Sequence, residues 1–376
     1  MATNVILTPS VIAREALMTL SNTIVMGSLV RRDQPAPGEF ANVGDTITVR
    51  KPATFVAADM TGAGIVAQDI REVGIPVVMS RWRGLRFGLT AKQASMSLRD
   101  YRDRYIQPAA AAIAQDIDAF LCGLALSIPY IRTQTATTVV ISDIALLGAD
   151  LTVRKVPLEG RALVLDPLSA AKYKVLAPVL DASQRGNASV ITDNRLGHIL
   201  GFDTYESQNV VTEGTIVGSI TGCSTPAACA TGLEVMAVTD TDATPGLIPA
   251  GTLFTIAGDT QVYTVTADAT QTANGCTLYF SPPLQIAIVG AKLLTVGTTT
   301  TGKTQSFAFH KNCMNLVTCP LATPVAAPSE VLSEEGLSVR VTYSWDSSAM
   351  SDVVTLDVLY GGRVLDVELG ERLIGQ

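Results

Sequence analysis

The sequence predicts an α+β fold with an all-β, barrel-like segment inserted into it. Three observations carry that prediction. The longest helical period in the chain, residues 98–123, separates neighbours of different character, residues 40–89 read as one long two-stranded excursion, and residues 213–302 spell short strands with no helical period. With 376 residues, 47% of them hydrophobic, the chain can fill two or three cores.

In chain order, Thr8-Pro9 offers a helix cap and a first-turn proline, and Ala13, Ala16, Leu17, Leu20 and Ile24 then share one face. This short amphipathic helix needs a surface to lie on. Arg31-Arg32 and Pro35-Ala36-Pro37-Gly38 break it. Residues 46–50 alternate as a strand ended by Pro52, Gly62-Ala63-Gly64 form a tip, and residues 75–82 and 85–89 return. A two-stranded ribbon has too little core to stand alone, so it should lean on a partner surface.

In the long helix, Ile106, Ala110, Ile113, Ile117, Phe120 and Leu124 recur at steps of three and four, giving one dry side. Asp100 can pair with Arg104, and Arg99 with Asp103. Pro108 denies the Arg104 carbonyl its partner, so a bent helix is expected, or one restarted with Gln107 as cap; Cys122-Gly123 should end it.

Residues 71–104 hold eight basic side chains against three acids. Such a stretch can meet an acidic patch on a neighbouring subunit, meet nucleic acid, or simply face water. Subunit contact is preferred, because Trp82 and Phe87 are the only aromatics interleaved with the charges in its β portion. The candidate contact residues are Arg14, Arg31, Arg32, Arg71, Glu72, Arg81, Arg83, Arg86, Arg99 and Arg102.

Residues 161–165 read as a buried strand, Asp166-Pro167 cap a helix through Val179, and residues 201–211 return to strand, a mixed domain over 131–212. Composition then changes. Residues 213–302 contain six acids and one base, Lys292, with strands at 233–238, 252–256, 262–266, 277–280, 285–289 and 292–296. Val235, Phe254, Ile256, Tyr263, Leu278, Phe280, Ile286 and Ile288 are the expected inward positions. From Ser306 longer strands resume, at 336–344 and 353–360, and must rejoin the earlier fold.

Only 16% of residues are charged and mean hydropathy is +0.32, which prompts a search for a membrane span. The charge-free windows 214–233 and 269–291 contain Pro226 and Pro282-Pro283, and neither reads as one. A low charge fraction without a span fits a chain that buries surface against copies of itself. A net charge of -7 argues against the whole protein being a nucleic-acid binder. The N-terminal residues do not spell a secretion signal, so synthesis and assembly in the cytoplasm are expected.

Six cysteines are too few for a disulfide scaffold of this length. The five-residue gaps in Cys223/Cys229 and Cys313/Cys319 are wider than zinc knuckles use, with only His198 and His310 to assist, so buried thiols are expected and no metal or cofactor. Residues 297–304, GTTTTGKT, match the phosphate-binding loop GxxxxGK[ST]. That loop needs a helix after it, and QSFAFH at 305–310 alternates as a strand; a threonine-rich linker is the plainer reading. Neither histidine is tied to a serine or cysteine motif, so no enzyme is expected.

Seven stretches together carry a resemblance: NVILTPSVIAREAL, GDTITVRKPATF, LRDYRDRYIQPAAAAIAQDID, LVLDPLSAAKY, GHILGFDTYESQNV, IPAGTLFTIAG and FAFHKNCMNLVTCPL. In this order the chain resembles the major capsid proteins of tailed double-stranded DNA bacteriophages, with the Hong Kong 97-type fold. It is most similar to coat proteins of short-tailed Salmonella-type phages, which carry an inserted β-barrel. The resemblance implies an N-terminal arm (1–36), an extended loop (37–89), the spine helix of a peripheral domain (90–130), an axial domain (131–212), the inserted domain (213–302) and returning strands (303–376). It also implies pentamers and hexamers closing an icosahedral shell in the virion, with scaffolding protein, portal protein and packaged DNA as partners. A cellular encapsulating shell of the same fold is the alternative.

Overall fold

The computed structural model describes residues 9–33, 44–51, 73–89, 102–134, 139–180, 193–217, 224–225, 228–239, 246–272, 275–297, 302–324, 327–334, 336–347 and 351–375. The chain divides into two compact units: Met1–Ser28, Arg32–Ala114 and Asn315–Leu365 form the first, and Leu29–Arg31, Gln115–Met314 and Asp366–Gln376 the second.

The first unit opens with α1 (Pro9–Thr23) and α2 (Met26–Leu29), then β1 (Arg31–Asp33), β2 (Thr46–Lys51), β3 (Val73–Val78) and β4 (Arg81–Leu89). It closes with β19 (Met314–Cys319), β20 (Ser329–Glu334), β21 (Leu337–Asp346) and β22 (Ser351–Val364). These make a sheet in the order β1-β19-β22-β21-β20, with β4 also on β22. The apolar face of α1 is buried as its spacing predicts, at Ile12, Ala13, Ala16, Leu17, Leu20 and Ile24. It lies on β20 and β21 of its own chain, so this helix needs no neighbour to cover it.

The β2–β3 hairpin forms in the register Thr46↔Val78 to Lys51↔Val73. The return strand departs from expectation. It stops at Val78, and residues 81–89 leave the hairpin to pair with β22 from Arg81↔Tyr360 to Leu89↔Asp352. Hydrogen bonds from Gly44 N–H to the Met79 carbonyl (2.9 Å) and from Met79 N–H to the Asp45 carbonyl (2.8 Å) close the ribbon. Val49, Val77 and Met79 pack with Val317, Cys319, Leu321, Leu359 and Leu365, so the base of the hairpin also rests on its own chain. Gly361 is required there, since a Cβ would sit 2.2 Å from the Val78 carbonyl oxygen. The expected tip at Gly62-Ala63-Gly64 lies outside the described residues.

The long helix begins, as far as it is described, with a π-turn at Arg102–Ile106 and continues as α3 (Gln107–Leu124). Wide π geometry just ahead of Pro108 is the local answer to the amide that proline lacks. Residues 98–101 are outside the described set, and with them the Asp100 and Arg99 pairings. Gly123 does not end the helix. A 3-10 turn carries on through Ala125–Ser127, because Ala125, Leu126 and Ile128 are buried and that burial outweighs glycine's helix penalty. Residues Arg104–Ser127 are long and apolar enough to cross a membrane by composition, but 56% of that window is buried inside the protein, as in a core helix.

The second unit holds β5 (Ile131–Thr133), α4 (Ile141–Val153), β6 (Arg161–Leu165), α5 (Pro167–Lys174), α6 (Ala177–Leu180), β7 (Gly197–Ile199) and β8 (Phe202–Glu206). Much later come β18 (Gln305–His310) and β23 (Gly370–Ile374). The sheet order is β5-β23-β18-β6-β8-β7, with β5–β23 and β6–β8 parallel. Every residue of β6 is buried, as its apolar run predicts. Asp166 caps α5 by accepting from Ser169 N–H at 3.1 Å, with Pro167 in the first turn. The helix expected through Val179 is two pieces, broken after Lys174. Ile144, Leu147, Leu151, Tyr173 and Phe202 pack with Leu163 and Leu165 over this sheet.

The β-rich segment contributes β9 (Ala228–Cys229), β10 (Val235–Val238), β11 (Gly246–Ile248), β12 (Leu253–Ile256), β13 (Val262–Val265), β14 (Ala269–Gln271), β15 (Cys276–Ser281), β16 (Ile288–Val289) and β17 (Leu294–Val296). Five of them form an antiparallel sheet, β10-β15-β13-β12-β17. Ser224 bridges to Thr239 beyond one edge and to Leu293 beside the other, which draws the two edges of the sheet together. The segment has its own core, including Phe254, Ile256, Tyr263, Leu278, Phe280 and Ile288, as expected. Val235 and Ile286 are corrections: they are 40% and 51% exposed. In β10 it is Met236 and Val238 that turn inward, a one-residue shift of register that moves the whole strand to its other face.

One buried side chain ties this segment to the six-stranded sheet. Arg372, on β23, donates through Nη1 and Nη2 to the Gly251 carbonyl, both at 3.0 Å, and through Nη1 to Gln305 Oε1 at 3.4 Å. Glu213 Oε2 lies 3.9 Å away, and both side chains are fully buried. Burial lowers the Arg372 pKa to about 10 against the opposing pull of Glu213, so the guanidinium stays charged at pH 7.

Candidate assembly surface

The candidate arginines converge only in part. Arg81, Arg83 and Arg86 stand on β4, while Arg14 is exposed on α1 and Arg31 and Arg32 are half-buried on β1. Arg32 Nε is used within the chain, donating to the Gly27 carbonyl at 2.6 Å. Arg71, Glu72 and Arg99 lie outside the described residues, and Arg102 is described for its backbone alone.

β4 alternates, so Trp82 and Arg86 share a face of the sheet with Asp357 of β22 and Arg340 of β21. Trp82 Nε1 donates to Asp357 Oδ2 at 2.9 Å, and Arg340 Nε donates to Asp357 Oδ1 at 3.0 Å. The Arg340 guanidinium also stands 5.8 Å from the Trp82 ring centroid. A nearly buried carboxylate is thus satisfied from two strands while the indole above it remains 54% exposed. Arg86 Nη2 meets Asp346 Oδ2 at 3.2 Å at the other end of the face. This knot was invisible to spacing arguments, since its members lie on three strands far apart in sequence; the one local signal was Trp82 among arginines.

In the second unit the surface signal is apolar. Val153 is 80% exposed at the end of α4, Leu158 71% in the turn that follows, Leu168 72% in the first turn of α5 and Val175 73% just after it. All four are carried by the helices and turns flanking β6. None of them is needed for the core already described.

No catalytic constellation accompanies these surfaces among the described residues. Residues 302–304 lead directly into β18, a strand, so no helix N-terminus stands behind the GTTTTGKT loop to receive a phosphate. Cys122, Cys229, Cys313 and Cys319 are buried free thiols and Cys276 is half-buried. Burial, aided by Asp118, pushes Cys122 up to about 12, and burial likewise raises Cys229 and Cys313, which keeps these sulfurs protonated and inert. No group of three or more His, Cys, Asp or Glu that could hold a metal occurs among the described residues.

No protein-family description and no curated protein matches the chain. Solved structures do. A chain from Mycobacterium phage Che8 is similar over 93% of this chain and 90% of its own, at 15% identity and a TM-score of 0.47. A chain from the asymmetric unit of the bacteriophage PhiM1 mature capsid is similar over 94% and 87%, at 10% identity and a TM-score of 0.46. A chain of the virus-like particle from Pyrococcus furiosus is similar over 97% and 98%, at 9% identity and a TM-score of 0.43.

Proposed function

We propose that this chain is a shell-forming subunit, the major capsid protein of a tailed double-stranded DNA bacteriophage, and that it acts by self-association and performs no catalysis. The observation that carries the reading is the set of large aliphatic side chains around β6, 71–80% exposed in a chain with only 16% charged residues. Covering one such side chain returns about 1.5–3 kcal/mol, offset by the cost of ordering the partners. Identical subunits supply that cover by symmetry, each presenting the same surface.

The residue stretches that resemble Salmonella-type coat proteins support the finer assignment. In it, residues 1–36 are the arm, 37–89 the extended loop, 90–130 the spine helix, 131–212 the axial domain, 213–302 the inserted domain and 303–376 the returning strands. The separate core of the β-rich segment and the edge-bridging Ser224 support the inserted domain. The exposed arginines of β4 and α1 are the polar part of the contact surface, with scaffolding protein, portal and packaged DNA as further partners in the virion.

The test is assembly. Purified protein, alone and with a scaffolding partner, is examined by sedimentation and negative-stain microscopy; closed shells or aberrant polymers are expected. A monomer at every concentration would sink the proposal.

A further inference from the structure

The sheet of the first unit carries opposite charge on two of its rims. Among the described residues β4 pairs with β22 alone and β20 with β21 alone, so the run β4-β22-β21-β20 has β4 at one rim and β20 at the other. β4 reads RWRGLRFGL, with three arginines and no acid, and β20 reads SEVLSE, with two glutamates and no base. Exposure agrees with both positions. Trp82, Arg83 and Gly84 are exposed in succession, where a strand flanked on both sides and packed on one face would alternate, and no residue of β20 is buried.

Register places the charges on one face. Residues directly opposite each other in a ladder share a face, and Glu330 stands opposite Val341, Val341 opposite Leu356, and Leu356 opposite Leu85. Counting by two along each rim strand, Glu330 and Glu334 share that face with Arg81 and Arg83, while Val331, Ser333 and Trp82 belong to the other. All three ladders are antiparallel, so β20 runs opposite in sense to β4. A second β20 laid against β4 would continue the same alternation.

We infer that β4 of one copy takes β20 of a second copy as its next strand, extending the sheet head to tail with arginines of one rim against glutamates of the other. This rests on the self-association proposed above and names a contact that serves it. A rim strand presents N–H and C=O groups in turn; another strand answers both, whereas a phosphate chain answers only the donors. The charges then choose among strands. β4 against β4 would set arginine beside arginine and β20 against β20 glutamate beside glutamate, so pairing of like rims is penalised and pairing of unlike rims is rewarded. Such a contact uses two different patches on every copy, and closes into a ring when the rotation between copies allows it. The incoming strand also covers the indole of Trp82, 54% exposed and already held by its Nε1 donation to Asp357 at 2.9 Å, so little ordering is needed on docking.

The test compares wild type with Arg81→Glu/Arg83→Glu, with Glu330→Arg/Glu334→Arg and with the fourfold variant, by sedimentation, circular dichroism reporting the fold of each. Either reversed pair should raise the concentration needed for assembly about ten-fold, as like charges replace opposite ones across the junction. The fourfold variant exchanges the charges between the rims and should assemble as wild type does. Trp345→Phe leaves Trp82 as the sole tryptophan, and its emission should move to shorter wavelength as particles form. Wild type that stays monomeric at every concentration overturns the shell reading and this contact with it. Wild type that assembles overturns the contact alone if the reversed pairs assemble equally well, if the fourfold variant is no better than they are, or if Trp82 emission does not move. Where a charge variant fails to fold, the Trp82 emission decides.

Discussion

Replacing Arg372 with methionine removes a buried charged tie between the β-rich segment and the six-stranded sheet while keeping the length of the side chain. The wild-type guanidinium makes three donations, two to Gly251 and one to Gln305, and stands 3.9 Å from Glu213 with both partners fully buried. Removing one member of a buried ion pair costs about 3–5 kcal/mol, because the other charge is left in a dry place without compensation. Glu213 would lose this guanidinium while keeping neutral donors such as Thr252 at 3.2 Å and Gln305 at 3.4 Å. For a unit of this size each kcal/mol moves the transition by about 2–4 °C, so a fall on the order of 10 °C is expected. Calorimetry on the purified protein at pH 7 reads it directly. Glu213→Gln combined with Arg372→Met should recover about half the loss, because the stranded charge is gone. A single variant within about 1 kcal/mol of wild type, or a double variant whose losses simply add, would refute the view that Arg372 and Glu213 act as a pair.

Lys303→Ala should leave assembly unchanged, and calorimetry of wild type should show no magnesium-dependent nucleotide binding; micromolar binding abolished by the substitution would restore the phosphate-loop reading. The excised fragment 213–302, carrying Glu213→Gln because Arg372 is absent from it, should give a β-type circular dichroism spectrum and dispersed amide resonances. Bunched resonances would mean that the segment depends on the rest of the second unit for its fold.

What the sequence disclosed was local. The buried face of α1, the Asp166-Pro167 cap and the inward residues of β12, β13 and β15 follow from periods and pairs spanning a few residues, and each is as predicted. What it hid was long-range. Nothing within residues 81–89 says that they abandon the hairpin for a strand more than 260 residues later. The slip in β10 is of the same kind, since Val235 and Met236 are both apolar and only the opposing Tyr279 and Leu278 settle which turns inward. The buried charges were the least legible, because Glu371 and Arg372 in GERLI look like an exposed strand until β5 and β18 are placed on either side. Gly123 misled for a related reason: the burial of Leu126 and Ile128 cannot be read from the glycine that precedes them. On the candidate surface, composition pointed to the arginines of β4 but not to Asp357, which organises the face they share.

The position of β23 between β5 and β18 bears on the order in which the chain can fold. Its partners in β5 are residues 131–133, more than 230 positions earlier, and the pairing is parallel. Such contacts close late, since the loop entropy is spent before the pairing rewards it. Until residues 370–374 arrive, β18 presents an open edge of buried-type residues, QSFAF, with Phe307 and Phe309 stacked 5.5 Å apart. A nascent or partly unfolded chain therefore displays a sticky, β-branched-poor but aromatic edge for much of its folding time, the kind of surface that invites capture by other chains. Keeping chains apart until β23 docks, as a chaperone does, would therefore protect the β18 edge during the interval in which it is exposed.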